Sequence, residues 1–160
     1  MRAMDAATGA ALAALIRRQR VAALGTLRDG APGVSMVAYL PEADFSALWL
    51  RVSRLAWHTQ DLRRDARVSL AILQADDGRA DPQTLARVTL RGEATEPADG
   101  DARCARLKAG WLARFPQSAV TFELADFSFW SIAVRDARFV AGLGRTHNLS
   151  AADLVRAAQT

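Results

Sequence analysis

The segment Leu48-Trp49-Leu50-Arg51-Val52-Ser53-Arg54-Leu55-Ala56-Trp57-His58-Thr59 holds the residues best suited to chemistry. It reads as a strand that runs into a helix, with Ser53 at the capping position and Arg54 and His58 one turn apart. A helix start offers free backbone N–H groups, and a hydroxyl and a guanidinium beside it complete a site for a phosphate. The same residues also suit a plain capped helix with a solvated arginine, since serine is a common cap for purely structural reasons.

Other chemistry is sparse. Gly142-Leu143-Gly144 lacks the third glycine of a dinucleotide fingerprint, and no Gly-Lys-Ser or Gly-Lys-Thr loop is present. Two histidines and one cysteine, all far apart, do not make a zinc site, so no metal is expected. No serine or cysteine nucleophile pairs visibly with a histidine, which leaves any reaction to a bound cofactor. Cys104 alone excludes an internal disulfide framework.

The net charge is +4, carried by arginine with Lys108 as the only lysine. Most arginines have an acidic neighbour, as in Asp61-Leu62-Arg63-Arg64-Asp65, and no basic patch interleaved with aromatics stands out. Nucleic acid is therefore not the expected partner; a small anionic ligand is. No apolar run approaches the roughly 20 residues that span a membrane. The apolar Ala10–Ile16 is followed, not preceded, by Arg17-Arg18-Gln19-Arg20, the wrong order for a secretory leader. A cytoplasmic location without membrane association is expected.

The positioning elements follow from periodicity and breakers. Helices are expected over Ala6–Arg20, Arg54–Asp65 and Asp101–Phe115, with short ones over Gln117–Leu124 and after Ser150. Strands are expected over Val21–Leu27, Gly33–Leu40, Ala47–Val52, Val68–Leu73, Leu85–Thr95, Phe129–Val134 and Arg138–Ala141. Arg135-Asp136 reads as the turn between the last two, and Gln74–Pro82 as a loop. Hairpin signals such as Asp29-Gly30 imply a mainly antiparallel sheet, and six or seven such strands close readily into a barrel. One domain over residues 1–160 is expected.

Several segments together resemble the FMN-binding split-barrel superfamily, which includes pyridoxamine 5′-phosphate oxidase; within it the likeness is to the haem-utilisation, HugZ-like branch. They are Ala23–Pro32, Ser53–Thr59 with Leu62, Asp81-Pro82 with Ala86–Gly92, Arg114-Phe115-Pro116, Asp126-Phe127 and Gly142–Arg145. Their order and spacing match over residues 18 to 154.

The resemblance implies a mainly β (α+β) fold, a six-stranded antiparallel split β-barrel with flanking helices. It also implies a homodimer with FMN at the interface. Carried onto this chain, Ser53 and Arg54 bind the FMN phosphate with His58 and Thr59 beside it. Ser35-Met36-Val37 runs along the flavin ring and Arg87 makes a polar contact to it. Met36 and Val37 equally suit a barrel core, and Arg87 an exposed strand face. Arg145 and His147 are weaker candidates for the open side of the site. The implied function is a flavin-dependent oxidoreductase; the alternatives are a haem-binding or haem-degrading protein with His58 or His147 as axial ligand, and a non-catalytic dimeric domain.

The sequence departs from the family pattern at Asp61, where asparagine is usual, at Ala66, where proline is usual, and at Ser131, where arginine is expected. The arginine-rich substrate motif of true pyridoxamine phosphate oxidases is missing, which argues against vitamin B6 oxidation. No C-terminal haem-binding segment follows within the sequence, which argues against haem degradation.

Overall fold

The computed structural model describes residues 4–160. Strands β1 (Val21–Arg28) and β2 (Ala31–Pro41) form a hairpin whose two turn residues, Asp29 and Gly30, both have positive φ, 52° and 81°. That is the turn geometry whose twist matches the flanking strands, and Asp-Gly is the sequence that reaches it at low cost. Strands β3 (Ala47–Ser53), β4 (Arg67–Leu73), β5 (Arg87–Thr95), β6 (Phe127–Val140) and β7 (Thr146–Ser150) complete the sheet.

The strand order is β3-β2-β1-β4-β5-β6-β7, every pairing is antiparallel, and β3 also pairs with β6. That last pairing closes β1–β6 into a six-stranded barrel and leaves β7 outside it. Closure removes the free edges that an open sheet would expose. Alternate residues of each strand fill the barrel, among them Leu24, Leu50, Leu70, Leu90, Ile132 and Phe139.

Helix α1 (Ala6–Arg18) is capped by Asp5, whose Oδ1 accepts from the Thr8 N–H at 2.7 Å, and buries Leu12 and Ile16 in the barrel core. Helix α2 (Trp57–Arg64) adds Leu62 to it. Helix α4 (Ala151–Ala158) begins with a Ser150/Asp153 capping box and packs on α1. Helix α3 (Cys104–Arg114) lies outside β3 and β6. There Leu107 and Trp111 join Trp49, Phe115 and Phe129 in a second, smaller core.

The elements differ from the sequence expectation in three places. Arg135-Asp136 is not a turn: β6 runs unbroken for 14 residues. Its register shifts opposite Arg91 and Gly92, so the strand bulges there instead of reversing. A Cβ on Gly92 would lie 2.0 Å from the Ala133 carbonyl oxygen, so only glycine fits this crossing. Strand β7 was not foreseen, because Thr146-His147-Asn148 is polar and shows no alternation. Finally, α2 starts at Trp57, three residues after the expected start, and Ser53 ends β3.

Candidate cofactor site

Ser53 does not cap α2. The residue at the cap position is Ala56, and no side chain caps the helix. The Ser53 Oγ accepts from the Leu55 N–H at 3.2 Å and donates to Asp126 Oδ2 at 2.6 Å. The Arg54 N–H donates to the Asp126 carbonyl at 2.7 Å. Asp126, just ahead of β6, therefore fixes the β3–α2 junction through both its carboxylate and its carbonyl. The Arg54 guanidinium lies 3.8 Å from Glu96, which Arg63 holds more closely at 3.2 Å.

This junction is polar and turn-like, and it leaves the first turn of α2 without a side-chain acceptor. The helix dipole and the Arg54 charge favour an anion there. Asp126 and Glu96 oppose one, since each already supplies a carboxylate to a group that would bind a phosphate.

Along α2 the side chains diverge. Trp57 is 75% exposed, as is Leu55 before it. His58 is half-buried, and that burial lowers its pKa below the ordinary 6.5, against a smaller opposing pull from Asp61. Thr59 is fully buried, and its hydroxyl has no partner among the described residues. Asp61 is buried too. Its charge is met from the β1–β2 hairpin, by Arg28 Nε at 2.6 Å and the Thr26 hydroxyl at 3.0 Å, and not by Arg63 or Arg64. Arg28 also stacks over the Trp57 ring, 5.3 Å from its centroid.

The other expected site residues lie on the barrel wall. Met36 pairs with Ala23, Ala23 with Ala71, and Ala71 with Thr89, so the four form one row across β2, β1, β4 and β5. Side chains two residues apart share a face, which places Val34, Met36, Ala23, Val21 and Leu73 on the outside of the barrel. Met36 is 71% exposed and Val34 77%. The small residues between them make this face flat and form a hollow of about 320 Å³.

Arg87 pairs with Leu73 at the edge of this face, with Nη1 donating to the carbonyls of Gln83 at 2.8 Å and Leu85 at 3.2 Å. Ser35 is half-buried, and Val37 is buried in the barrel core. The expected residues thus form two groups, one at the β3–α2 junction and one on the outer β2-β1-β4-β5 face.

Sequence reading missed Arg28 and Asp126, which hold the junction, and Val21, Val34 and Leu73, which widen the apolar face. Alternation along β1, β2 and β4 was the signal for the face. Nothing in the sequence paired Asp126 with Ser53, 73 positions apart. His147 sits on β7 and stacks on Phe139 with ring centroids 6.4 Å apart, near Arg145 and with β6 between it and Arg87. Among the described residues no cluster of metal-ligating side chains occurs. No helix among them is long and apolar enough to cross a membrane.

Comparison with known proteins agrees with the fold. Residues 8–141 match the family model described as pyridoxamine 5′-phosphate oxidase. The chain is 36% identical over 115 residues to the chloroplastic non-canonical haem oxygenase HOZ of Arabidopsis thaliana, covering 72% of this chain and 33% of that protein. It superposes on a haem-binding protein from Mycobacterium smegmatis with a TM-score of 0.82 and 30% identity, over 98% of this chain and 62% of the other. It also shares the fold of the haem storage protein HutZ of Vibrio cholerae, with a TM-score of 0.71, 15% identity and coverage of 84% of this chain and 92% of that one. The chain spans about a third of the chloroplast protein and about three fifths of the mycobacterial one.

Proposed function

Because the chain belongs to the pyridoxamine 5′-phosphate oxidase family, we propose that it is a haem-binding split-barrel protein that works as a homodimer. The flat apolar face formed by Val21, Val34, Met36 and Leu73 carries this reading. Two relatives at 36% and 30% identity are described by haem, which supports it. A macrocycle needs a flat apolar bed, and its carboxylates need cations at the rim. Met36 and Leu73 offer the bed, and Arg87 stands at its edge with its guanidinium already oriented by two carbonyls.

One barrel wall covers one side of such a ligand. A second copy laid against it would cover the other and bury apolar side chains that one chain leaves exposed. His58 is the candidate axial ligand, brought to this face by the second copy, since within one chain it lies at the β3–α2 junction. Burial lowers its proton affinity, which keeps the imidazole neutral near pH 7, the form that ligates iron. His147 is the alternative. Bound haem supplies a redox-active iron; the protein orients it, shields it from water and meets its charged rim.

FMN is the second reading, favoured by the uncapped start of α2 beside Arg54. The carboxylates of Asp126 and Glu96 weigh against a phosphate there, as does the burial of Thr59. Titration with haemin, followed through the visible bands, tests the haem reading in wild type, His58→Ala and His147→Ala. It predicts saturation near one haem per chain and altered bands in one histidine variant. Unaltered bands in both variants would reject histidine ligation.

A further inference from the structure

A second cleft, of about 320 Å³, opens on the β3–β6 side of the barrel, beneath α3 and the 3₁₀ segment Pro116–Phe122. Its wall is aromatic, from Phe122, Phe127 and Phe129. Two cations stand over a single ring: the Arg51 guanidinium lies 3.7 Å from the Phe122 centroid and the Lys108 ammonium 5.1 Å from it. Neither forms an ion pair among the described residues, although about half of the arginines do.

Arg51 is half-buried, and that burial lowers its pKa from the ordinary arginine value. Its Nη2 donates to the Thr121 carbonyl at 2.7 Å and its Nε to the Thr121 hydroxyl at 3.3 Å, while Nη1 has no protein acceptor among the described residues. Of the two carboxylates at the cleft, Glu96 is engaged by Arg63 and Arg54, and Asp99 is exposed.

Two cations without an ion-pair partner among the described residues line one cleft, and desolvating one of them is costly unless an anion meets it. We propose that this cleft binds a small flat monocarboxylate, its aromatic body among Phe122, Phe127 and Phe129 and its carboxylate toward Arg51 Nη1 and Lys108 Nζ. The volume lies at the small end of the roughly 300–1,000 Å³ usual for ligand pockets, which suits a one- or two-ring acid. The site is separate from the outer barrel face proposed for haem and shares Arg54 and Glu96 with the β3–α2 junction.

The probe is 2-naphthoate, with the neutral 2-naphthamide as control, followed by amide chemical-shift mapping of the full chain. Saturable shifts are expected on β3, the start of β6 and α3. Lys108 is exposed, so Lys108→Gln should fold normally. It should weaken 2-naphthoate about tenfold, the scale of one charge-assisted hydrogen bond, and leave haemin and FMN affinities unchanged. Cys104 lines the cleft, so saturating 2-naphthoate should also slow its alkylation by iodoacetamide. Equal binding of acid and amide, an unchanged affinity in Lys108→Gln, or shifts confined to the outer β2-β1-β4 face would overturn the proposal.

Discussion

At Asp61 a carboxylate stands where the family resemblance leads one to expect asparagine, and the structure shows what accommodates it. Arg28 and Thr26 reach it from the β1–β2 hairpin, so the pair ties α2 to the hairpin. Arg28→Ala strands a buried carboxylate and should lower stability by about 1.5–3 kcal/mol in urea melts. A loss below half a kcal/mol would show that water replaces the arginine. Asp61→Asn in the Arg28→Ala background should recover most of the loss, because a neutral amide is cheaper to leave unpaired.

His58 gives a second prediction with a defined sign. Its folded pKa lies below 6.5 because burial disfavours the charged ring. The unfolded state therefore binds the proton first as pH falls, and stability falls with it from about 6.5 downward until the folded pKa is passed. Wild type should lose stability between pH 7.5 and 5.5, and His58→Gln should lose less over the same interval. Parallel pH profiles would contradict a buried His58. Reading the sequence singled out His58 and Arg54 by type and spacing and placed the helix start three residues early. Serine is a favoured cap, and nothing local indicates that Asp126 claims its hydroxyl.

Among the elements, β6 teaches most about what was legible. The strand, turn and helix order came through because period-two alternation and Asp-Gly turn chemistry act over a few residues. Arg135-Asp136 mimics a turn, but the residues that overrule it are Arg91 and Gly92 on the neighbouring strand. The bulge accommodates the extra residue, and Arg91 Nε binds Asp136 Oδ1 at 2.6 Å across it. Strand β7 was illegible for a related reason: it is held from one side by β6, with only Leu149 buried along it.

Gly92 makes the bulge testable. Gly92→Ala forces a methyl into the Ala133 carbonyl and should cost about 3 kcal/mol, the upper end of overpacking penalties. Thermal melts of the variant would show it. A shift of only a degree or two would mean that the β5–β6 crossing relaxes freely.

For the whole molecule, the decisive feature is a closed barrel that carries an apolar patch on one outer face as well as an apolar core. The inner residues are the core that any such sheet requires. The outer set of Val21, Val34, Met36 and Leu73 is exposed among the described residues, and reading Met36 and Val37 together concealed the division between them. One faces solvent and the other the core, because strand neighbours point to opposite sides. The proposed homodimer places a second copy over this face. Met36→Glu would set a carboxylate in that interface, so sedimentation should show the dimer of the wild type replaced by monomer, with the far-ultraviolet spectrum unchanged. A dimer that persists in Met36→Glu would move the interface elsewhere.

The central claim is that the outer face receives a flat macrocycle rather than a flavin phosphate at the β3–α2 junction. The direct measurement is a paired titration of the purified protein with haemin and with FMN, read by visible absorption, in wild type and in Arg87→Ala. The account predicts saturable haemin binding that weakens in Arg87→Ala, and FMN binding at least tenfold weaker than haemin. Tight FMN binding lost in Arg54→Ala, with no saturable haemin binding, would contradict it.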